Sequence, residues 1–272
     1  TTLTERSELT MNETIPASRK FGISGSTLKL IAIISMFIDH LGAAVVARIL
    51  VAANRNGVFS LSPLCRSIYL NCDLYVVYQV MRDIGRIAFP IFCFLLIEGF
   101  LHTHDIRKYA LRLLAFCAIS EIPFDLAFQN TFLEFHSQNV FFTLLIGLLT
   151  MMVCREIERH VAMAPLFRGL LYVLALAVGM GIAELLHTDY SYRGVFCIMM
   201  LYFARTSKPW QILVGAISFA WEIPAPAAFL PIALYNGKRG WNIKYFFYLF
   251  YPVHLLLLYL LACAVGLGGV TL

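Results

Sequence analysis

Apolar residues in this chain gather in long continuous blocks, without the strict alternation of strands. Blocks near residues 28–50, 83–102, 107–128, 138–154, 167–186, 190–205, 209–222, 225–236 and 244–266 are each predicted to be a membrane-crossing helix, because about twenty apolar residues span a bilayer. The seventh and eighth are short, and "WEIPAPAAFLP" carries three prolines, so this stretch reads equally as one kinked crossing or a re-entrant pair. The expected fold class is therefore all-α: a polytopic membrane helix bundle of about nine spans, with a range of eight to ten. Residues 1–27 are polar and are expected to form a cytoplasmic segment ahead of a single integral membrane domain, 28–272.

Composition agrees with the pattern. Of 272 residues, 60% are hydrophobic and only 14% charged, and the mean hydropathy is +0.77. Lys and Arg concentrate on one side of the predicted bundle: Arg19, Lys20, Lys29, Arg107, Lys108, Arg155, Arg159, Arg168, Arg205, Lys208, Lys238, Arg239 and Lys244. By the positive-inside bias that side is cytoplasmic, which puts the N-terminus inside and the C-terminus outside. The net charge of +5 is then a solvated membrane face and calls for no nucleic-acid partner. No cysteine or histidine spacing suits a metal. Cys65 and Cys72 share a predicted outer loop, where a disulfide is an open possibility.

The informative residues are the polar ones within the spans, since an ionisable group at membrane depth costs about 3 kcal/mol on insertion scales. At about 1.5 Å of rise per residue, Arg86 is level with Glu121 and Asp125, and Glu98 with Arg112. Two ion pairs stapling an antiparallel hairpin are expected, although the same groups could line a substrate pocket. Asp39 and His40 fall near the midplane of the first span. They point about 100° apart and so cannot be a hydrogen-bonded dyad. His254 comes to the same depth in the last span. Each histidine could simply bridge two helices. Yet no other side chain is as well placed for proton transfer, and imidazole is the usual general base near neutrality.

Six ordered stretches resemble the TraX family of membrane proteins: "LKLIAIISMFIDHLG", "IGRIAFPIFCFLLIEGF", "HTHDIRKYALRLLAFCAISEIPFD", "NVFFTLLIGLL", "DYSYRGV" and "YNGKRGWNIKYFFYLFYPVHLLLL". Together they cover residues 27 to about 260. The resemblance implies a multi-pass acyltransferase of the bacterial inner membrane. Such a protein takes an acetyl group from cytoplasmic acetyl-CoA, with no metal, and delivers it to an amine or hydroxyl at or across the membrane. The acceptor, whether a protein N-terminus, a glycan or a small molecule, is left open. On this expectation His40 is base or nucleophile, with Asp39 and His254 beside it. Tyr235, Asn236 and Tyr251 are candidate hydrogen-bond donors, and Lys238, Arg239 and Lys244 would meet the phosphates of acyl-CoA. A proton-coupled transporter or a non-catalytic scaffold would also keep such residues among lipid-embedded helices.

Overall fold

The computed structural model describes residues 22–160, 164–241 and 244–271, with side chains for all of these except 244 and 245. The first 21 residues, including Arg19 and Lys20, lie outside the described residues. Every regular element described is helical. Helix α1 (Gly25–Leu41) passes through a π-helical turn, Gly42–Val46, into α2 (Ala47–Asn56). There follow α3 (Pro63–Asn71), α4 (Leu74–Gly85), α5 (Ala88–His102), α6 (Ile106–Phe128), α7 (Val140–Arg159), α8 (Pro165–Leu185) and α9 (Ser191–Phe203). The chain ends with α10 (Lys208–Ser218), a 3-10 turn (Ala225–Ala228), α11 (Phe229–Ala233) and α12 (Lys244–Ala264). Among the described residues five helical rods are long and apolar enough to cross a membrane: Gly25–Asn56, Leu74–His102, Val140–Arg159, Pro165–Leu185 and Phe246–Ala264. This is a helical membrane protein.

Nine separate crossings are not seen among the described residues. Helices α10 and α11 have 11 and 5 residues, which at 1.5 Å each reach only about 16 and 8 Å of a core about 30 Å thick. They pack together as the two arms of a helical hairpin. The Lys208 ammonium, at the start of α10, donates to the Tyr235 carbonyl just past α11, so both arms begin at one end of the bundle. At the tip, Trp221–Pro224, the Glu222 side chain turns inward while Trp221 and Ile223 are exposed. Helix α9 has only 13 residues. Helix α6 has 23 but includes Arg107, Lys108, Arg112, Glu121 and Asp125.

The segment after the first span, expected to be an outer loop through residue 82, folds instead as α3 and α4. Asp73 caps α4 by accepting from the Val76 N–H at 3.3 Å. The second rod thus starts at Leu74, nine residues earlier than the apolar block at 83–102 implies. It breaks once, at Arg86–Ile87. Pro90 explains the break, since it supplies no N–H to the carbonyl four residues back, on Arg86, and its ring crowds that turn. Across the break the Ile84 carbonyl accepts the Ser35 hydroxyl at 2.5 Å. Helix α4 crosses α1 closely there. A Cβ on Gly85 would lie 2.2 Å from the Cβ of Asp39, so only glycine fits. Cys65 and Cys72 are free thiols. They sit seven residues along one rigid helix and its cap, a separation of about 10 Å that no disulfide bridges.

Helix α5 packs chiefly on α1 and α9, whereas α6 packs on α12 and α7. Sequence neighbours α5 and α6 are therefore not the antiparallel pair expected. One apolar core lies around Ile91, Ile97, Leu148, Met151, Ile198 and Leu201. A second surrounds Ala44, Ile49, Phe124, Leu255 and Leu258, and Phe92, Val140 and Phe141 touch both. Arg48 is fully buried in the second core, where its Nη2 donates to the Leu126 and Ala127 carbonyls at 3.3 and 3.0 Å, closing the end of α6.

One end of the bundle is basic. The Asn236–Trp241 loop wraps over the start of α1, with Gly25 N–H donating to the Lys238 carbonyl at 2.8 Å and Ser26 Oγ to the Arg239 and Trp241 carbonyls at 2.9 Å. Arg107, Arg155, Arg159, Arg205 and Lys208 lie at this end as well. Cysteines placed at residues 104 and 238 should thus label from one side of the membrane and a cysteine at residue 132 from the other. Labelling of 104 and 238 from opposite sides would overturn this arrangement.

Candidate functional site

The polar residues of α1 sit where it changes from α to π geometry, a local widening that recurs at functional positions. His40 Nδ1 is 2.7 Å from His254 Nε2, and the two rings are nearly parallel, 5° apart. His254 Nδ1 in turn lies 2.8 Å from the Phe250 carbonyl. A carbonyl only accepts, so His254 carries its proton on Nδ1 and its Nε2 must accept. His40 consequently donates from Nδ1. For neutral imidazoles this leaves the lone pair of His40 on Nε2, away from the helix pair. Tyr251 and Phe128 stand edge-on to the His40 ring, at 5.9 and 5.4 Å.

Asp39 turns elsewhere, as its helical position dictates. Its Oδ2 is 3.9 Å from His40 Nε2, beyond hydrogen-bonding range, and takes a 2.7 Å ion pair from Arg82 Nη1 on α4. Asp39 Oδ1 is enclosed without a partner among the described residues. One turn after Arg82, at the break, Arg86 Nη1 pairs with Glu222 Oε1 at 3.0 Å, bringing in the tip of the helical hairpin. Arg86 also faces Tyr190. Tyr190 adopts φ 64° and the adjacent Ser191 φ 45°, unusual values for residues with side chains. That turn lays the Tyr190 ring on Phe89 at 3.8 Å. Asp189 lies within electrostatic reach of Asp39, Arg86 and Arg82. The side chains of Asp39 and His40 are each 13% exposed, and those of Arg82 and Arg86 23% and 26%. The cluster is thus largely enclosed, with its two arginines the more exposed members.

Two expected pairings do not form. Arg86 pairs with neither Glu121 nor Asp125. Because its rod begins at Leu74, Arg86 lies about 18 Å along it, level with the hairpin tip. Glu121 instead accepts the Asn139 side-chain amide, and Asp125 Oδ2 the Glu134 N–H at 2.8 Å. Glu134 itself is outside the spans, in the loop before α7. The N–H groups of His136 and Phe135 hold its carboxyl below the usual carboxylate range. Glu98 and Arg112 do not meet, because α5 and α6 do not pack as a hairpin; Glu98 faces Tyr235, and Arg112 is exposed on α6.

The residues expected to hold acyl-CoA divide in two. Asn236 is buried and committed to the fold, donating to the Gly22 carbonyl at 3.0 Å and accepting the Lys238 N–H at 2.9 Å. The Tyr235 ring packs on Phe94, edge-on at 5.4 Å. Neither is presented to a ligand. Lys238 and Arg239 are exposed at the basic end and fit a phosphate-bearing co-substrate, while the Lys244 side chain lies outside the described residues. Among the described residues no cluster of His, Cys, Asp and Glu could hold a metal ion.

Arg82, Glu222, Asp189 and Tyr190 were not picked out from the sequence. Asp73 as a helix cap was the available signal for Arg82. The prolines of "WEIPAPAAFLP" were the signal that the chain reverses near Glu222, but they do not indicate its partner.

A helical membrane protein with several candidate spans thus gathers ionisable side chains from several helices around a histidine pair. The family model for "TraX protein" matches residues 24–262, and the chain belongs to that family. It is also 30% identical to a probable fimbrial assembly protein, FimC of serogroup H1, from Dichelobacter nodosus, over 89% of this chain and 96% of that one. No solved structure matches.

The Arg86–Glu222 pair is partly buried, so Arg86→Ala should cost about 1–3 kcal/mol, between the values for exposed and buried pairs. A double-mutant cycle in thermal unfolding should find coupling of Arg86 to Glu222 and none to Glu121. Coupling to Glu121 would refute the pairing.

Proposed function

We propose that this protein is a membrane acetyltransferase of the bacterial inner membrane, with its N-terminus inside, acting on an amine or hydroxyl acceptor. The observation that carries this reading is the relay Phe250 carbonyl, His254, His40. Two hydrogen bonds use up three of the four ring nitrogens and leave a single lone pair, His40 Nε2, facing the Asp39–Arg82 pair. That is the arrangement a general base requires: a fixed tautomer, held by a second group and open to the reacting proton. Family membership and a relative named for fimbrial assembly support the same reading.

Acetyl-CoA supplies the activated acyl group as a thioester. His40 Nε2 removes the proton as the acceptor attacks the thioester carbonyl, and the imidazolium so formed is answered by Asp39; as the C–S bond breaks, that imidazolium returns the proton to the departing coenzyme A thiolate, leaving His40 neutral. Arg82 and Arg86 are the cationic groups nearest the histidine pair, and they would balance the negative charge that develops on the carbonyl oxygen. His254 acts through His40 and is a positioning residue. Lys238 and Arg239 would hold the co-substrate's phosphates at the basic face. The same series of titratable groups also suits a proton path. Proton uptake by proteoliposomes without acetyl-CoA would favour a transporter instead.

In single-turnover transfer from labelled acetyl-CoA in proteoliposomes, His40→Ala should lose about 100-fold to 10,000-fold, the usual contribution of a general base. His40→Gln should fail similarly, with thermal unfolding unchanged. Transfer near the wild-type rate by both variants would sink the proposal.

His254→Phe should cost less than His40→Ala and should alter the pH–rate profile, because it frees the His40 tautomer. An unchanged profile with undiminished transfer would reduce His254 to a packing role.

A further inference from the structure

A second built feature lies at the basic end, away from the histidine pair. A cavity of about 620 Å³ opens between the start of α6 and the end of α7, lined by Arg107, Arg155, Arg159, Glu156 and His160 with Ile106. Its charges do not cancel. Arg159 is answered by Glu156 at 2.7 Å, but neither Arg107 nor Arg155 meets a carboxylate among the described residues. Arg155 is held in place: its guanidinium lies 4.7 Å from the Phe100 ring centre, and its Nε is enclosed without a partner. His160 Nδ1, 2.8 Å from the Glu156 carbonyl, carries its proton there, which leaves Nε2 for another group. A planar guanidinium on a rigid support, beside a second one, matches the oxygens of a phosphate.

The apolar wall of this cavity identifies the rest of the ligand. Val153 and Ile157 line it and also line a second furrow of about 450 Å³ between α7 and α8, walled by Leu149, Leu171, Leu174 and Val178. A basic head pocket therefore continues, through two shared side chains, into an apolar channel along the face of the spanning helices. Leu149, Val153, Leu174 and Val178 are exposed there. A soluble anion would use only the first half. We infer that this is a binding site for an anionic phospholipid, with the phosphate on Arg107 and Arg155 and an acyl chain along the α7–α8 furrow. The assignment stands on this geometry and is independent of acetyl transfer.

Native mass spectrometry of the purified full chain, titrated with phosphatidylglycerol or phosphatidylcholine, tests it. Wild type should hold one phosphatidylglycerol about tenfold or more tightly than phosphatidylcholine. Arg107→Glu, at an exposed position that cannot disturb the core, and Arg155→Gln should each erode that preference. Leu174→Trp, which fills the furrow, should weaken both lipids. Equal affinity for the two lipids in wild type, or an undiminished preference in Arg107→Glu, would overturn the site. Displacement of the lipid by coenzyme A or inorganic pyrophosphate would overturn it too, reassigning the pocket to a soluble phosphate.

Discussion

The interruption of the second helical rod at Arg86–Ile87 is the constraint on which the polar site depends. In hydrocarbon a backbone carbonyl without a donor costs several kcal/mol, so a break is tolerated only where something else answers it. Pro90 leaves the Arg86 carbonyl without its helical donor, while the neighbouring Ile84 carbonyl accepts both the Ile87 N–H at 3.3 Å and the Ser35 hydroxyl of α1. That bond and the absence of a side chain at Gly85 draw α1 and α4 together, and Asp39 occupies the space Gly85 leaves. Arg82 and Arg86, four residues apart, then fall on either side of the crossing with a carboxylate each.

The second of those carboxylates explains why the chain builds a hairpin where two further crossings would have fitted. Helices α10 and α11 are too short to cross, but they are long enough to bring Glu222 from the basic end to the depth of Arg86. A charge delivered from one side can pair with a charge on a spanning helix without a second full crossing. The hairpin is anchored at its base by Lys208 on the Tyr235 carbonyl and by the loop that caps α1. The basic end and the buried site are therefore joined through a single structural unit.

Depth was the part of the site legible in the sequence. Counting along the spans brings Asp39, His40 and His254 to one level, and the structure puts the two histidines in contact at 2.7 Å. The angle between adjacent helical residues also foretold that Asp39 and His40 would serve different neighbours. The predicted ion pairs failed for a related reason. Their depths were measured from the start of an apolar block, but α4 is a helix made of mixed polar and apolar residues, so the count for Arg86 began in the wrong place. Asn236, expected among the residues that hold acyl-CoA, is a loop amide that looks free in a sequence but bonds to backbone groups of the fold.

Composition, hydropathy and the distribution of Lys and Arg were enough to establish a helical membrane protein with one basic end, because in a bilayer each helix must satisfy its backbone within itself and show its apolar surface along its own length. Which helices touch is a different kind of information. The spanning helices α1, α5, α7, α8 and α12 are apolar over most of their surface, so no stripe marks the face each buries. That α5 leaves α6 for α1 and α9, and that Glu222 reaches Arg86, was decided by close approach at glycine, by the Ser35 hydroxyl on the Ile84 carbonyl and by charges seeking partners far away in the chain. Those forces act between residues that only the tertiary structure brings together.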